Sequence, residues 1–225
     1  MAEEKKKENG RVIKFFIVPT LLISFLLAFS VAELRVAGIL YVVMDLYAFF
    51  IFSQPRYKEE IFGISSNILA PLVIGVGTGI GFLILTIISP IFSLLTPTIP
   101  FTVSEDVRFF IIVIIAPLAE ESWRSATIGL IREIYRTKIN IAIVISAILF
   151  AALHLGVYGI GFGALQTWLG LYGQFTAIVG FLFVALLFGL LAGYMNKTFN
   201  TILPATIAHI IINFWLVTKG LVIIS

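Results

Sequence analysis

Cysteine is absent from this chain, and charged residues are scarce. The absence of thiols excludes cysteine catalysis, cysteine-ligated metals and disulfide bonds. Charged side chains make up 12% of the 225 residues, against about 25% in a typical soluble domain. The segment 61–104 has no charged residue, and within 139–196 His154 is the single Asp, Glu, Lys, Arg or His. These deficits exclude an ordinary soluble domain and predict a membrane protein.

Long hydrophobic runs fill most of the sequence, which is 60% hydrophobic with a mean hydropathy of +1.10. Runs of about 18 or more apolar residues are typical of membrane-spanning helices. We therefore expect an all-α transmembrane bundle in which a charged tail (1–11) precedes a single helical domain (12–225). The predicted helices cover about residues 15–32, 36–52, 66–89, 104–132, 139–155, 175–195 and 201–217.

These seven predicted spans become eight if one of the connections inserts into the membrane. The longest interior connection, 156–173, is rich in glycine and aromatic residues. The first span ends in Ser30-Val31-Ala32, which imitates the small-residue cleavage site of a signal peptide. Its apolar stretch is long for that role, so we expect a retained helix.

The charges at the predicted helix ends indicate an orientation. Basic residues are found at Lys5–Lys7, at Arg56 and Lys58, within 132–138 and at Lys197. All of these positions fall on one side of the predicted bundle, and cytoplasmic loops carry such an excess of Lys and Arg. We therefore expect a multi-pass protein of the cell membrane with a cytoplasmic N-terminus. Its partner is then the lipid bilayer, and a nucleic-acid partner is not expected.

Four polar side chains interrupt the apolar helices: Glu120, His154, His209 and Asn213. Counted from the basic helix ends, Glu120 and His209 lie about 18 Å deep. His154 and Asn213 lie about 24 Å deep. The hydrocarbon core is about 30 Å thick, so three helices place polar groups in one layer. An ionisable group at this depth costs at least about 2.5–3.5 kcal/mol, and by default it marks function.

Helical spacing groups these residues further. His209 and Asn213 are four residues apart and share a helix face, as do Phe150 and His154. His209 and Asn213 can therefore meet one target, while the phenyl ring can form the floor beneath the His154 imidazole.

An acidic pair, Glu120-Glu121, is followed closely by Arg124. Glu120 shares a face with Arg124, which can hold one carboxylate ionised by pairing with it. Glu121 is expected to pair with a basic residue or to orient its neighbour.

These residue types suit a hydrolase. A carboxylate can take a proton from water as the water attacks a carbonyl, and imidazole and amide N–H groups can stabilise the resulting oxyanion. Alternatively, Glu120, His154 and His209 can hold Zn²⁺ and its bound water. Residue type does not separate the two designs; no cofactor is favoured, and a divalent metal such as zinc stays open.

Three motifs together resemble the signature of a known family. They are Ala116-Pro117-Leu118-Ala119-Glu120-Glu121, Phe150-x-x-x-His154 and His209-x-x-x-Asn213. Their order and spacing are similar to those of the CPBP (Abi) family, which includes the Rce1-like type II CAAX prenyl endopeptidases, a group of intramembrane proteases. The resemblance covers about residues 107–217.

The resemblance implies that Glu120 activates a water molecule with help from His154. It also implies that His209 and Asn213 form the oxyanion site, in a helical bundle whose cavity opens towards the cytosol. The expected substrate is a peptide or a lipid-modified protein. Because water must reach Glu120, we predict a polar cavity joining the four residues.

One departure from the family pattern keeps other functions open. The family's first motif is usually Glu-Glu-x-x-x-Arg, whereas here Arg124 comes one residue early and Ser125 occupies the arginine position. A non-catalytic descendant, either a scaffold or a bacteriocin self-immunity protein, is the alternative. A third hypothesis is a proton-coupled transporter that uses the mid-span Asp45 with Glu120 and the histidines. Separately, Gly77-x-x-x-Gly81 predicts close helix packing.

Overall fold

The computed structural model describes residues 11–30, 35–54, 64, 67–88, 110–161 and 172–218. These residues form helices, and no β-strand occurs among them. The all-helical fold predicted from the sequence is therefore confirmed. The seven helices are α1 (Val18–Ser30), α2 (Arg35–Ser53), α3 (Leu69–Ile88), α4 (Ala116–Tyr135), α5 (Ile139–Gly161), α6 (Tyr172–Phe199) and α7 (Leu203–Thr218).

Two π-helical turns, Ile13–Ile17 and Ile111–Ile115, lead directly into α1 and α4. Each turn ends two residues before a proline, Pro19 or Pro117. Proline has no backbone N–H and its ring clashes with the carbonyl four residues earlier. The wider π-helical turn moves that carbonyl away from the proline ring, which explains why both π-helical turns precede a proline.

The predicted connection 156–173 is wrong at both ends. Helix α5 continues to Gly161, and α6 already begins at Tyr172. Each glycine lowers helix propensity by about 1 kcal/mol in water. The glycines after residue 155 therefore suggested that α5 ends there. In an apolar setting a backbone that leaves the helix has no water to bond with, so the helix persists. The charged tail before residue 11, the helix start at 104–106 and the centre of this connection lie outside the described residues.

The outer faces of the helices are apolar. Large hydrophobic side chains such as Leu22, Leu69 and Val73 are exposed by more than half of their surface, which fits helices surrounded by lipid. Among the described residues, one helical segment, Leu182–Phe199, is both long and apolar enough to cross a membrane, and five other apolar segments are shorter. The count of seven or eight spans stays a prediction.

Helix α4 lies at the centre of the bundle, where it contacts α2, α5, α6 and α7. One apolar cluster packs on the C-terminal half of α4 and includes Phe52, Ile128 and Ile143. A second cluster, around Phe82 and Phe188, joins α3, α5, α6 and α7. The polar residues of α4 are therefore placed against other helices rather than against lipid.

Close packing of α3 uses a different glycine pair from the predicted one. A Cβ atom at Gly75 would lie 2.7 Å from the Pro204 carbonyl oxygen, and one at Gly79 would lie 2.9 Å from Ile211 Cβ. At Gly77 and Gly81 an added Cβ meets no described atom within 4 Å. The Gly77-x-x-x-Gly81 prediction is therefore wrong by two residues, since the face of α3 that contacts α7 is set by the bundle.

This difference provides a matched test of the packing. Gly75→Ala is expected to lower the free energy of unfolding by about 1–3 kcal/mol, because a backbone carbonyl on α7 must move. Gly77→Ala should leave it unchanged or raise it slightly, since alanine favours helix by up to about 1 kcal/mol. Thermal unfolding of the two purified variants in detergent measures both effects. Equal melting temperatures would contradict the α3–α7 contact.

Candidate active site

A buried ion pair on α4 anchors the site. Glu121 and Arg124 are both fully buried, and Nη1 of the arginine donates to both carboxylate oxygens. The guanidinium carbon lies 3.9 Å from the centroid of the Phe150 ring on α5 and 5.4 Å from that of Phe188 on α6. Pairing and ring contact compensate two charges that would otherwise be very costly away from water.

The partner of the arginine differs from one simple expectation. Spacing placed Arg124 on the face of Glu120, but its ion pair is with Glu121, three residues before it. Residues three and four apart are both neighbours on a helix, and the guanidinium that pairs with Glu121 also lies against the Phe150 ring. The expectation that Glu121 pairs with a basic residue agrees with this geometry.

His209 extends the pair to α7. Its Nδ1 lies 2.9 Å from Glu121 Oε1, and because the carboxylate is an acceptor, Nδ1–H is the donor. This bond fixes the ring and its tautomer, as a carboxylate does for a catalytic or metal-binding histidine. The other nitrogen, Nε2, then lies 3.7 Å from Glu120 Oε2. Glu121 therefore determines how His209 faces the second carboxylate.

His154 approaches the same carboxylate from α5. Its Nδ1 lies 2.8 Å from the carbonyl oxygen of Phe150, so this nitrogen donates as well and the neutral ring carries its lone pair on Nε2. Nε2 lies 3.9 Å from Glu120 Oε2. The Phe150 ring centroid is 4.4 Å from that of the imidazole. The phenyl ring thus forms a floor under His154, as the spacing predicted, and also covers Arg124.

Glu120 is the point where the two imidazoles meet. Its Oε2 atom is buried and has no hydrogen-bond partner among the described residues. The two Nε2 distances, 3.7 and 3.9 Å, are longer than a direct hydrogen bond. The Glu120 side chain keeps 10% of its surface exposed and that of His154 keeps 20%. Such separations between polar groups are typical of sites where a small polar molecule bridges them.

Asn213 lies one turn after His209 on α7 and is partly buried. The helix keeps both residues on one side, so all four residues expected to act in catalysis come from the three helices α4, α5 and α7. The sequence did not indicate Phe188, whose ring lies 4.8 Å from the His209 imidazole. A phenylalanine within the apolar α6 carries no signal that separates it from ordinary core residues.

Binding of a metal ion by these residues stays a prediction. Among the residues that the structure describes, no group of three or more His, Asp or Glu side chains is placed to hold one. The set expected for zinc was Glu120, His154 and His209; both histidines aim Nε2 at a single carboxylate oxygen. We therefore derive no chemical step through a metal.

Comparison with known protein families adds to this geometry. The model of the Rce1-like type II CAAX prenyl endopeptidases matches residues 103–215, half of the chain. The chain belongs to this family. Rce1-like proteins are embedded in membranes and are usually peptidases, although members can be inactive. No curated protein and no solved structure matches the chain.

The segment shared with the Rce1-like family contains the whole candidate site. It includes the described helices α4 to α7 as far as Trp215, and with them Glu120, His154, His209 and Asn213. Helices α1 to α3 lie outside the match and pack against it through α2 and α3.

Proposed function

We propose that this Rce1-like protein is an intramembrane endopeptidase that cleaves a peptide bond with a water molecule activated by Glu120. The observation that carries the proposal is the buried, unpartnered Oε2 atom of Glu120 facing Nε2 of two histidines. A carboxylate held in this way is available to accept a proton.

In the first step, water binds between Glu120 and His154. The His154 Nδ1–H bond to the Phe150 carbonyl leaves the Nε2 lone pair directed at the site, so the ring positions the water as an acceptor. Glu120 removes one proton as the water oxygen attacks the carbonyl carbon of the substrate. A tetrahedral intermediate with a negative oxygen forms.

His209 and Asn213 stabilise this oxygen. The amide N–H of Asn213 donates directly, and His209 donates from Nε2 when the ring is protonated, with Glu121 stabilising its positive charge through Nδ1. Glu120 then gives its proton to the leaving amine, and the C–N bond breaks. The products are a carboxylic acid and an amine, and Glu120 returns to its starting state.

The proposed substrate is a peptide or lipid-modified protein whose C-terminal tail enters from the cytoplasmic side of the cell membrane. A multi-pass topology with a cytoplasmic N-terminus brings the basic helix ends to that side. The polar cavity predicted to join the four residues is the route for water. The small exposed areas of Glu120 and His154 support access from outside the bundle.

The non-catalytic alternative rested on the shifted arginine. Arg124 still forms a buried ion pair from its earlier position, so the departure from the family motif does not remove the support of the acidic pair. Asp45, on which the transport hypothesis relied, lies beside Thr20 in the α1–α2 interface. Neither geometry favours these alternatives over proteolysis.

Cleavage of a fluorogenic prenylated tail peptide by the purified protein tests the proposal. We expect cleavage that persists in the presence of a strong chelator, because Glu120 rather than a metal activates the water. A rate lost with chelator and restored by Zn²⁺ would instead indicate a metalloprotease. An unprenylated peptide of the same sequence is the control for the lipid. Failure of the well-folded protein to cleave a panel of such tails would favour the scaffold.

A further inference from the structure

A second polar centre lies in the interface between α1 and α2. Asp45 on α2 is fully buried, and neither carboxylate oxygen has a hydrogen-bond partner among the described residues. Thr20 on α1 lies beside it, but the Thr20 hydroxyl donates to carbonyl oxygens of its own helical segment rather than to the carboxylate. Nothing in the proposed peptidase mechanism uses this carboxylate.

Two hydroxyl groups face this interface from α1. Thr20 and Ser24 are four residues apart and both are buried, and the Ser24 Oγ atom has no partner among the described residues. The two helices approach closely at Gly38, where an added Cβ atom would lie 2.6 Å from the Ala28 backbone nitrogen and 2.9 Å from the Ser24 carbonyl oxygen. Asp45 follows Gly38 by two helical turns on the same face of α2. One carboxylate and two hydroxyls therefore share a dry interface.

The backbone at this level is irregular. The π-helical turn Ile13–Ile17 and Pro19 precede Thr20, whose hydroxyl donates to the carbonyl oxygens of Phe16 at 2.8 Å and Ile17 at 3.1 Å. Carbonyl oxygens of irregular helix segments are ligands for Na⁺ in membrane proteins, and π-turns are frequent at functional sites. The interface thus offers carboxylate, hydroxyl and carbonyl oxygens, the ligands that hard cations prefer.

The charge balance favours a monovalent over a divalent cation. Among the described residues the Asp45 oxygens have no basic partner, and an isolated buried carboxylate is very costly unless its charge is neutralised. One positive charge neutralises it, whereas a divalent ion would leave an excess positive charge in the apolar interface. We propose that Asp45, Thr20 and Ser24 bind a monovalent metal cation such as Na⁺, independently of the peptidase site.

Thermal unfolding of the purified protein tests this site. The melting temperature is compared in NaCl and in N-methyl-D-glucamine chloride at equal ionic strength, so that screening is constant. A ligand that binds the folded state raises the melting temperature in proportion to its saturation. We expect a rise of at least about 3 °C in 300 mM NaCl, and no rise in the variant Asp45→Asn.

Two further variants make the outcome specific. Glu120→Gln should keep the full sodium-dependent shift, because it alters the other site. The double variant Thr20→Val/Ser24→Ala keeps the carboxylate but removes the hydroxyls, and should lose most of the shift. It serves as the test if Asp45→Asn does not fold.

Three results would overturn the proposal. The first is a wild-type melting temperature that does not depend on sodium, which would show that a proton neutralises Asp45. The second is a sodium shift that survives in both Asp45→Asn and the hydroxyl variant. The third is a larger shift with CaCl₂ than with NaCl at equal ionic strength. None of these results depends on peptide cleavage, so failure here is distinct from failure of the peptidase proposal.

Discussion

Replacing Glu120 with glutamine is expected to lower kcat for peptide cleavage by about 10²–10⁴-fold, because the amide cannot accept the proton of the attacking water. The substitution keeps the shape of the side chain. It also breaks no hydrogen bond of Oε2, which has no partner among the described residues. The melting temperature should therefore stay constant or rise, since a poorly compensated buried charge is removed.

The matched control for this experiment is Glu133→Gln on the same helix. Glu133 is exposed near the end of α4, so its variant should cleave at the wild-type rate. Initial rates with the prenylated peptide, measured beside thermal unfolding for all three proteins, separate loss of chemistry from loss of fold. A Glu120→Gln protein that retains more than about a tenth of the wild-type rate would contradict the role of this residue as general base.

Replacing Arg124 with methionine is expected to destabilise the protein by about 3–5 kcal/mol, because it leaves the Glu121 carboxylate buried without its cation. Both side chains are fully buried, so water does not screen the loss. Cleavage should fall as well, since Glu121 holds His209 through its Nδ1–H. Lys138→Met, at an exposed position after α4, is the control for removing a positive charge.

A double variant shows whether the lost stability of Arg124→Met comes from breaking its ion pair with Glu121. The double variant Glu121→Gln/Arg124→Met contains no unpaired charge, so it should be more stable than Arg124→Met alone, and the difference measures the coupling of the two residues. Its cleavage rate should stay low, because glutamine is a weaker partner for the His209 ring. An Arg124→Met protein with a wild-type melting temperature would show that the ion pair contributes nothing to stability.

The position of the arginine explains how the chain departs from the family motif without losing the pair. A guanidinium four residues after Glu121 is the usual arrangement implied by the motif, and here it comes three residues after. Both positions neighbour Glu121 on a helix. The long arginine side chain compensates the shift, and its guanidinium contacts the rings of Phe150 and Phe188. Ser125, at the usual arginine position, is buried and small.

The sequence was sufficient to predict most helices. Hydrophobic runs bounded by charges located the elements because apolar length is a strong signal in membrane proteins. It failed at 156–161, where glycine suggested a connection and α5 continues. Three spaced motifs also predicted that Glu120, His154 and His209 lie in one layer, since rise per residue fixes depth along a helix.

Composition and motif spacing were therefore enough to predict the all-helical fold, the family and the polar residues that share a site. The tertiary structure decided which neighbour each of them meets: Glu121 rather than Glu120 for Arg124, Glu121 for His209 Nδ1, and Gly75 rather than Gly77 for α7. Helical periodicity shows only which residues lie on the same side of a helix, and residues three and four apart both qualify. The choice among them depends on how separate helices pack together, and this follows from contacts between residues far apart in the chain.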